Sequence, residues 1–388
     1  MSQSHGPAGP SQFITPRAHQ PKQELAPVPA LTEPTQPAAL EVVTEEPRPV
    51  PTMGMPAFLF NVAKAFNPNA QPPQLSKKEA AQLAAQAELE ERTARAKASY
   101  DEQRNLSDQC THLIVAFIGV KGAAATTTTM VHSASIFADD TRTTLYAADF
   151  NPASGTAGAR LGKEGRDTTT IQEFSRIVDD VRKDRKSVQE KLRPTRYGVR
   201  VLSADDYTNI PPEQYGTVTA KMLDVLDENC EYLMLDTPND ITTAASRAII
   251  DKADVIVFTA NVGERDSLRL LRVSMDVVRK LDYADKVTNS IVVVSNVPEG
   301  MTRDDYTKYL SKVNLNHEVT GELGQGEFNG QMLAVPYDPQ IALNGEVVLE
   351  ALEPATTQAY RDINIAILEQ GIETKTRPSI TALERSIS

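Results

Sequence analysis

The sequence predicts an α/β protein built on a doubly wound, mainly parallel sheet, preceded by a disordered proline-rich tail and a helical arm. Two observations predict the sheet. From residue 111 onward, seven short apolar runs recur, "HLIVAFIGV", "TTLYAAD", "VRVLSA", "EYLMLDT", "DVIVFTA", "NSIVVVSN" and "QMLAVPY". They are unbroken rather than alternating, as strands buried on both faces must be, and helix-length segments separate them. That alternation of strand and helix is the pattern of parallel strands joined by crossovers, and it runs from about 111 to 370.

The chain of 388 residues, 40% apolar, is long enough to bury one large core or two ordinary ones. Not all of it can be core. Fifteen of the 25 prolines fall in the first 73 residues, where no apolar periodicity is present to offset the entropy of ordering the backbone. Residues 1–52 therefore read as a disordered tail. Residues 53–69, "MGMPAFLFNVAKAFNPN", are apolar; as a helix, Leu59, Val62, Ala63 and Phe66 share one face. That face, within residues 53–66, suits a membrane surface, a partner, or this protein's own domain.

Residues 76–107 open with a capping box, Ser76 and Glu79, and continue as a helix-favouring run of Ala, Glu, Lys and Arg. Its apolar seam of Ala80, Leu83, Ala84 and Ala87 is thin, which predicts a solvated spacer or lightly docked arm. Residues 371–388 read as a C-terminal tail.

A net charge of −12 argues against a general nucleic-acid-binding surface. "KDRKS" and "RVSMDVVRK" carry basic residues, but mixed with acids, as on a solvated helix. Two cysteines, Cys110 and Cys230, lack metal-ligand spacing and fit a reducing compartment. With neither a membrane-spanning run nor a charged-then-apolar leader in view, the expected location is cytoplasmic.

In such a sheet ligands gather outside the carboxyl ends of the strands. After the first strand comes "GVKGAAATTTT", which has the place of a phosphate loop. Such a loop needs glycines so that backbone N–H groups reach oxygens, a lysine as a point charge, and a hydroxyl on Mg²⁺. The second strand ends in "AADFNPASG", the fourth in "LMLDTPND", and the last two in "VVVSN" and "VPYDP".

By these motifs and their order, residues 111–370 resemble the ParA/MinD family of P-loop ATPases (SIMIBI class), whose deviant Walker A loop reads KGGxGKTT. Laid on that pattern, "KGAAATTT" keeps Lys121, Gly122 and Thr127 but puts Ala123 and Ala125 where glycines belong and Thr126 where the phosphate lysine belongs. The resemblance implies ATP and Mg²⁺ as ligands. It makes Lys121, Gly122, Thr126, Thr127, Thr128 and Asn151 nucleotide contacts, Asn296 and Asp338 base contacts walled by Pro336 and Tyr337, and Thr127, Asp149 and Asp236 the metal side.

Asn151 stands where the family commonly has a second aspartate, and asparagine cannot carry negative charge beside an attacking water. Losing a charge-assisted phosphate contact forfeits about 1.5–3 kcal/mol of binding. Phosphoryl transfer depends almost wholly on positioned charge. No confident catalytic residue is therefore assigned, and the expectation is absent or very weak hydrolysis.

Closer still is the resemblance to MinD-like proteins of bacterial type VII secretion and DNA-transfer loci. It is carried by the proline-rich start, the apolar helix leading to Asn67 and Pro68, the charged helix, the DxNP segment and the "GEVVLEALEPATTQAYRDI" ending. It implies a scaffold or regulator of an envelope machine, recruiting protein partners through its N-terminal segments. As homodimer, or paired with an intact homologue, the chain would sit in the cytoplasm or against the inner face of the membrane. The alternative is an active ATPase that positions cargo or partitions DNA.

Overall fold

The computed structural model describes residues 77–119, 124–151, 155–162, 168–181, 184–204, 210–264, 266–298, 330–343 and 345–376. The tail, the apolar segment 53–69, Ser76, Lys121, Gly122, Ala123 and the residues after 376 lie outside them. Contacts divide the chain into Met1–Leu75 and Ser76–Ser388, and all that follows concerns the second unit.

All seven expected runs form strands: β1 (Leu113–Ile118), β2 (Leu145–Asp149), β3 (Arg200–Leu202), β4 (Tyr232–Asp236), β5 (Val255–Asn261), β6 (Ile291–Val297) and β7 (Met332–Pro336). They make one sheet in the order β3-β2-β4-β1-β5-β6-β7. Every pairing is parallel. Successive residues point to opposite faces, and here both faces are core. Ile114, Ala116 and Ile118 enter one apolar cluster while Leu113, Val115 and Phe117 enter the other. That double burial explains why the runs lack polar alternation.

Helices carry the chain between strands. The ones that matter for the site are α1 (Lys77–Gln109), α2 (Thr126–Thr141) after β1, and the four-residue α3 (Ala157–Arg160) after β2. Further along come α4 (Ile171–Val181), α5 (Arg185–Lys191), α6 (Pro212–Asp227), α7 (Ala244–Lys252), α8 (Ser267–Val278) and α9 (Ala284–Thr288). After β7 follow the short α10 (Pro339–Ala342) and the long α11 (Pro354–Thr376).

α11 lies against α2 and the sheet, burying Tyr360, Ile363, Ile367 and Leu368. A side chain at Gly371 would meet Leu113 Cδ1 at 2.4 Å, so only glycine allows this close approach. The helix runs past the boundary expected at 370. Lys375 holds its last turn, donating to the His112 carbonyl and lying 3.6 Å from Asp254.

α1 behaves as two halves. Residues 81–95 are exposed all round, including Leu83, Ala84 and Ala87 of the expected seam. Beyond them a polar stripe of Ser99, Gln103 and Ser107, spaced at four residues, is buried. Gln103 Nε2 donates to Asp140 at 3.3 Å, and Asp140 also takes a two-pronged contact from Arg361 at 2.7 and 3.1 Å. The arm thus docks by hydrogen bonds to α2 and α11, not by an apolar seam.

Candidate nucleotide and metal site

β1 delivers its loop at the centre of the sheet, between β4 and β5. A side chain on Gly119 would meet Thr126 Oγ1 at 2.0 Å and Thr259 Oγ1 at 3.1 Å, so glycine leaves room for the start of α2 to pack over the end of β1. The loop enters α2 through Ala125 at φ 61°, left-handed backbone that a glycine would adopt without strain.

The three threonines that begin α2 fan apart by about 100° each, as successive helical positions must. Thr126 Oγ1 shares a hydrogen bond of 2.9 Å with Thr259 Oγ1 on β5. Thr127 donates to Asp236 Oδ2 on β4. Thr128 Oγ1 accepts a 2.8 Å bond from Arg160 Nη1 on α3. One turn of helix therefore touches both neighbours of β1 and the element that follows β2.

Asp149 and Asp236 are register partners at the ends of β2 and β4. Both are essentially inaccessible, at 0% and 1% exposure. Asn151 Nδ2 reaches both, at 3.1 Å from Asp149 Oδ1 and 3.2 Å from Asp236 Oδ2. Backbone N–H groups of Asn151 and Ala157 also donate to Asp149. A side chain at Gly155 would stand 2.5 Å from Asp149 Oδ2, so glycine admits this close approach of backbone to the carboxylate.

Burial pushes both carboxyls above their ordinary range. For Asp236 the neighbouring Asp149 charge pushes the same way, and the Thr127 hydrogen bond and Arg160 only partly oppose it.

These residues fit a hard divalent cation. A hydroxyl, two carboxylates and an amide are oxygen donors of the kind Mg²⁺ takes, and a cation would relieve the repulsion between the two acids. Asn151 Oδ1 is moreover buried without a hydrogen-bond partner among the described residues. When bound, Mg²⁺ would supply positive charge at this corner. A triphosphate fits less well: at the place where the resemblance puts a phosphate lysine, Thr126 is neutral and its hydroxyl is engaged with β5.

Beside the threonines lies a cavity of about 370 Å³. Thr128, Arg160 and Tyr360 line it, with Asn261, Ser295 and Asn296 from the ends of β5 and β6 and Pro336, Tyr337 and Asp338 after β7. Asn296 sits at φ 66° where the β6–β7 register shifts between Val294 and Val297, a bulge that re-aims the strand end. Asp338 lines the same cavity, but its two oxygens accept from the Gln340 and Glu353 backbone N–H groups, so it caps α10 and pins the next segment.

Thus Thr126, Thr127, Thr128, Asn151, Asp149 and Asp236 gather at one corner and Asn296 and Asp338 line the adjoining cavity. Lys121 and Gly122 lie outside the described residues.

Sequence reasoning missed Arg160, Thr259, Asn261 and the stacked pair His132 and Tyr360, whose rings are 5.3 Å apart. Arg160 carried one signal, the first base in the glycine-rich segment after the second motif. His132 Nδ1 lies 2.8 Å from the Thr128 carbonyl, so the ring N–H donates there. Burial lowers its pKa to about 4.

No protein-family model matches this chain, and no curated protein sequence does. Solved structures do. A ParA family ATPase from Chlorobium tepidum TLS superposes with a TM-score of 0.50 at 13% identity, covering 65% of this chain and 98% of that one. The chain has the fold of a ParA-family ATPase. A Cyanothece McdA variant in complex with ATP gives a TM-score of 0.49 at 16% identity, over 66% of this chain and 96% of its own. A chain of the MinC:MinD cell division protein complex of Aquifex aeolicus gives 0.42 at 15%, over 69% of this chain and 96% of that one. No described helix is long and apolar enough to cross a membrane.

Proposed function

We propose that this ParA-fold chain has a degenerate nucleotide site and works as a non-hydrolysing scaffold or regulator, recruiting protein partners at an envelope-associated secretion or DNA-transfer machine. The observation that carries the reading is Thr126. In a ParA-type loop this position supplies the phosphate cation; here a neutral hydroxyl is tied to Thr259 at 2.9 Å. Asn151 in place of an acid removes the group that would hold an attacking water by charge. The degenerate loop leaves the fold as a platform, from which the exposed half of α1 projects.

The contrary reading, a cycling ATPase that positions cargo or partitions DNA, draws support from the oxygen cluster of Thr127, Asp149 and Asp236. Titration of the purified protein with ATP and Mg²⁺, with phosphate release measured in parallel, separates the two. The proposal expects no turnover above the protein-free control; Mg²⁺-dependent turnover with micromolar ATP affinity would refute it. The envelope role is tested apart from this, by cross-linking in the native host, where recovery of chromosomal DNA instead of secretion or transfer components counts against it.

A further inference from the structure

We propose that the outward face of α1 pairs antiparallel with the same face of a second copy of this chain, along a seam of Ala84, Ala87, Ala94 and Ala98. The inference goes beyond the reading above and makes no use of the nucleotide and metal corner.

At 100° per residue, the docked stripe of Ser99, Gln103 and Ser107 and this alanine seam lie roughly 140° apart round the helix. The stripe is buried, whereas Ala84, Ala87, Ala94 and Ala98 are all exposed. One side of α1 therefore holds the body while the other faces outward. Residues 81–95 are exposed on every side. A helical stretch of about 15 residues is marginal in water by itself, and a second helix along it supplies the packing it lacks.

The steps from Ala84 through Ala87, Glu91 and Ala94 to Ala98 alternate between three and four residues, the spacing that keeps one helix face against a partner. Alanine at the contact lets two axes approach to about 8 Å, which brings the flanking side chains within reach of each other.

Charge commits this face to a second copy. Glu88 and Arg95 flank the seam on one side, and Glu90 and Lys97 flank it on the other, acids first and bases later. When two copies run antiparallel with Ala87 opposite Ala98, Glu88 of each meets Arg95 of the other and Glu90 meets Lys97. All four side chains are exposed. Their present engagements are slight: Arg95 lies 3.4 Å from Asp362 with 70% of its side chain exposed, and Glu90 Oε1 accepts from Gln86 Nε2 at 3.2 Å, so Lys97 can take the second oxygen.

Glu91 sets the direction. In a parallel pair in register it would stand against its own copy, a like-charge contact in the seam; antiparallel, it stands opposite Ala94 and next to Arg95. Exposed ion pairs add little each and an alanine seam buries little area, so the pairing is weak and reversible.

The test is sedimentation equilibrium of the full chain without nucleotide, from about 5 to about 500 µM. The mass should rise from one copy to two, and less so in about 1 M salt. Glu88→Lys with Glu90→Lys should raise the dissociation constant about tenfold or more, and so should Arg95→Glu with Lys97→Glu. An equimolar mixture of the two variants should recover the dimer, because every cross pair is again opposite in sign. Circular dichroism checks that each variant keeps its helix content. Ala87→Cys and Ala98→Cys, mixed and oxidised, should cross-link to each other but not to themselves, since identical positions then lie about 16 Å apart along the axis.

A monomer across the whole range, a dimer indifferent to both charge variants, or a dimer that forms only on adding Mg²⁺-ATP overturns the proposal. Self-linking of Ala87→Cys in place of the mixed product overturns the antiparallel order.

Discussion

Asp149 and Asp236 stand side by side at the ends of adjacent parallel strands, and a single amide, Asn151 Nδ2, donates to both. Burial and the nearness of the two acids raise both pKa values, so keeping both ionised costs stability. Because the folded-state pKa of Asp236 is raised above the ordinary 3.8, its stability contribution is fullest below that value and is lost as pH rises through the folded value.

Asp236→Asn should therefore raise the melting temperature at pH 8 by a few degrees, the gain shrinking towards pH 4, since an amide oxygen can still accept from Thr127 and Asn151. Thermal melts with and without Mg²⁺ check the metal reading too. Mg²⁺ should stabilise the natural protein at pH 8 and leave the variant unmoved.

Asn151→Asp would put a third acid against the pair. It should lower the melting temperature in the absence of divalent cations and recover it when Mg²⁺ is added. Equal melts in both conditions would count against a cation at this corner.

His132 sets an opposite pH dependence. Its folded pKa of about 4 lies below the ordinary 6.5, so the unfolded chain takes up a proton that the native state refuses. Stability should fall as pH drops from about 6.5 to about 4, by on the order of 3 kcal/mol from this group. His132→Asn, which keeps a donor near the Thr128 carbonyl, should flatten that part of the profile in urea melts.

The loop makes two further tests. Ala125 occupies left-handed backbone, so Ala125→Gly should stabilise the fold by about 0.5–1 kcal/mol, against the usual cost of glycine. Thr126→Lys combined with Ala123→Gly and Ala125→Gly should raise ATP affinity well above that of the natural protein, measured by titration of both. If neither binds, the pocket has decayed beyond the loop.

Buried Asp140 on α2 takes both the half-buried Arg361 of α11 and Gln103 of α1, which fixes the base of α1. Asp140→Ala leaves Arg361 and Gln103 unpaired and should cost about 3 kcal/mol, read by chemical denaturation. Residues 81–91 are exposed, so truncation of the chain before Arg92 should leave the melting temperature unchanged.

The sequence by itself located all seven described strands, because the central ones, buried on both faces, leave short unbroken apolar runs separated by helix-length segments. It also pointed to strand ends for the candidate site, since Asp149 and Asp236 close such runs and the threonines open the helix that follows another. Which of these residues meet was decided by tertiary structure. Asn151 and Asp236 are 85 residues apart and touch only because the crossovers set β2 beside β4.

The direction of Thr126 toward Thr259, the reach of Arg160 into the first turn of α2 and the commitment of Asp338 to capping were likewise illegible in the chain. Local pattern records which face of an element is apolar and where a turn falls. It does not record what lies across the crevice, and that is set by packing between segments far apart in sequence. The docked half of α1 was hidden for a related reason, since its buried stripe of Ser99, Gln103 and Ser107 is polar, with Leu106 packing on the core beside it, and leaves no apolar stripe to read.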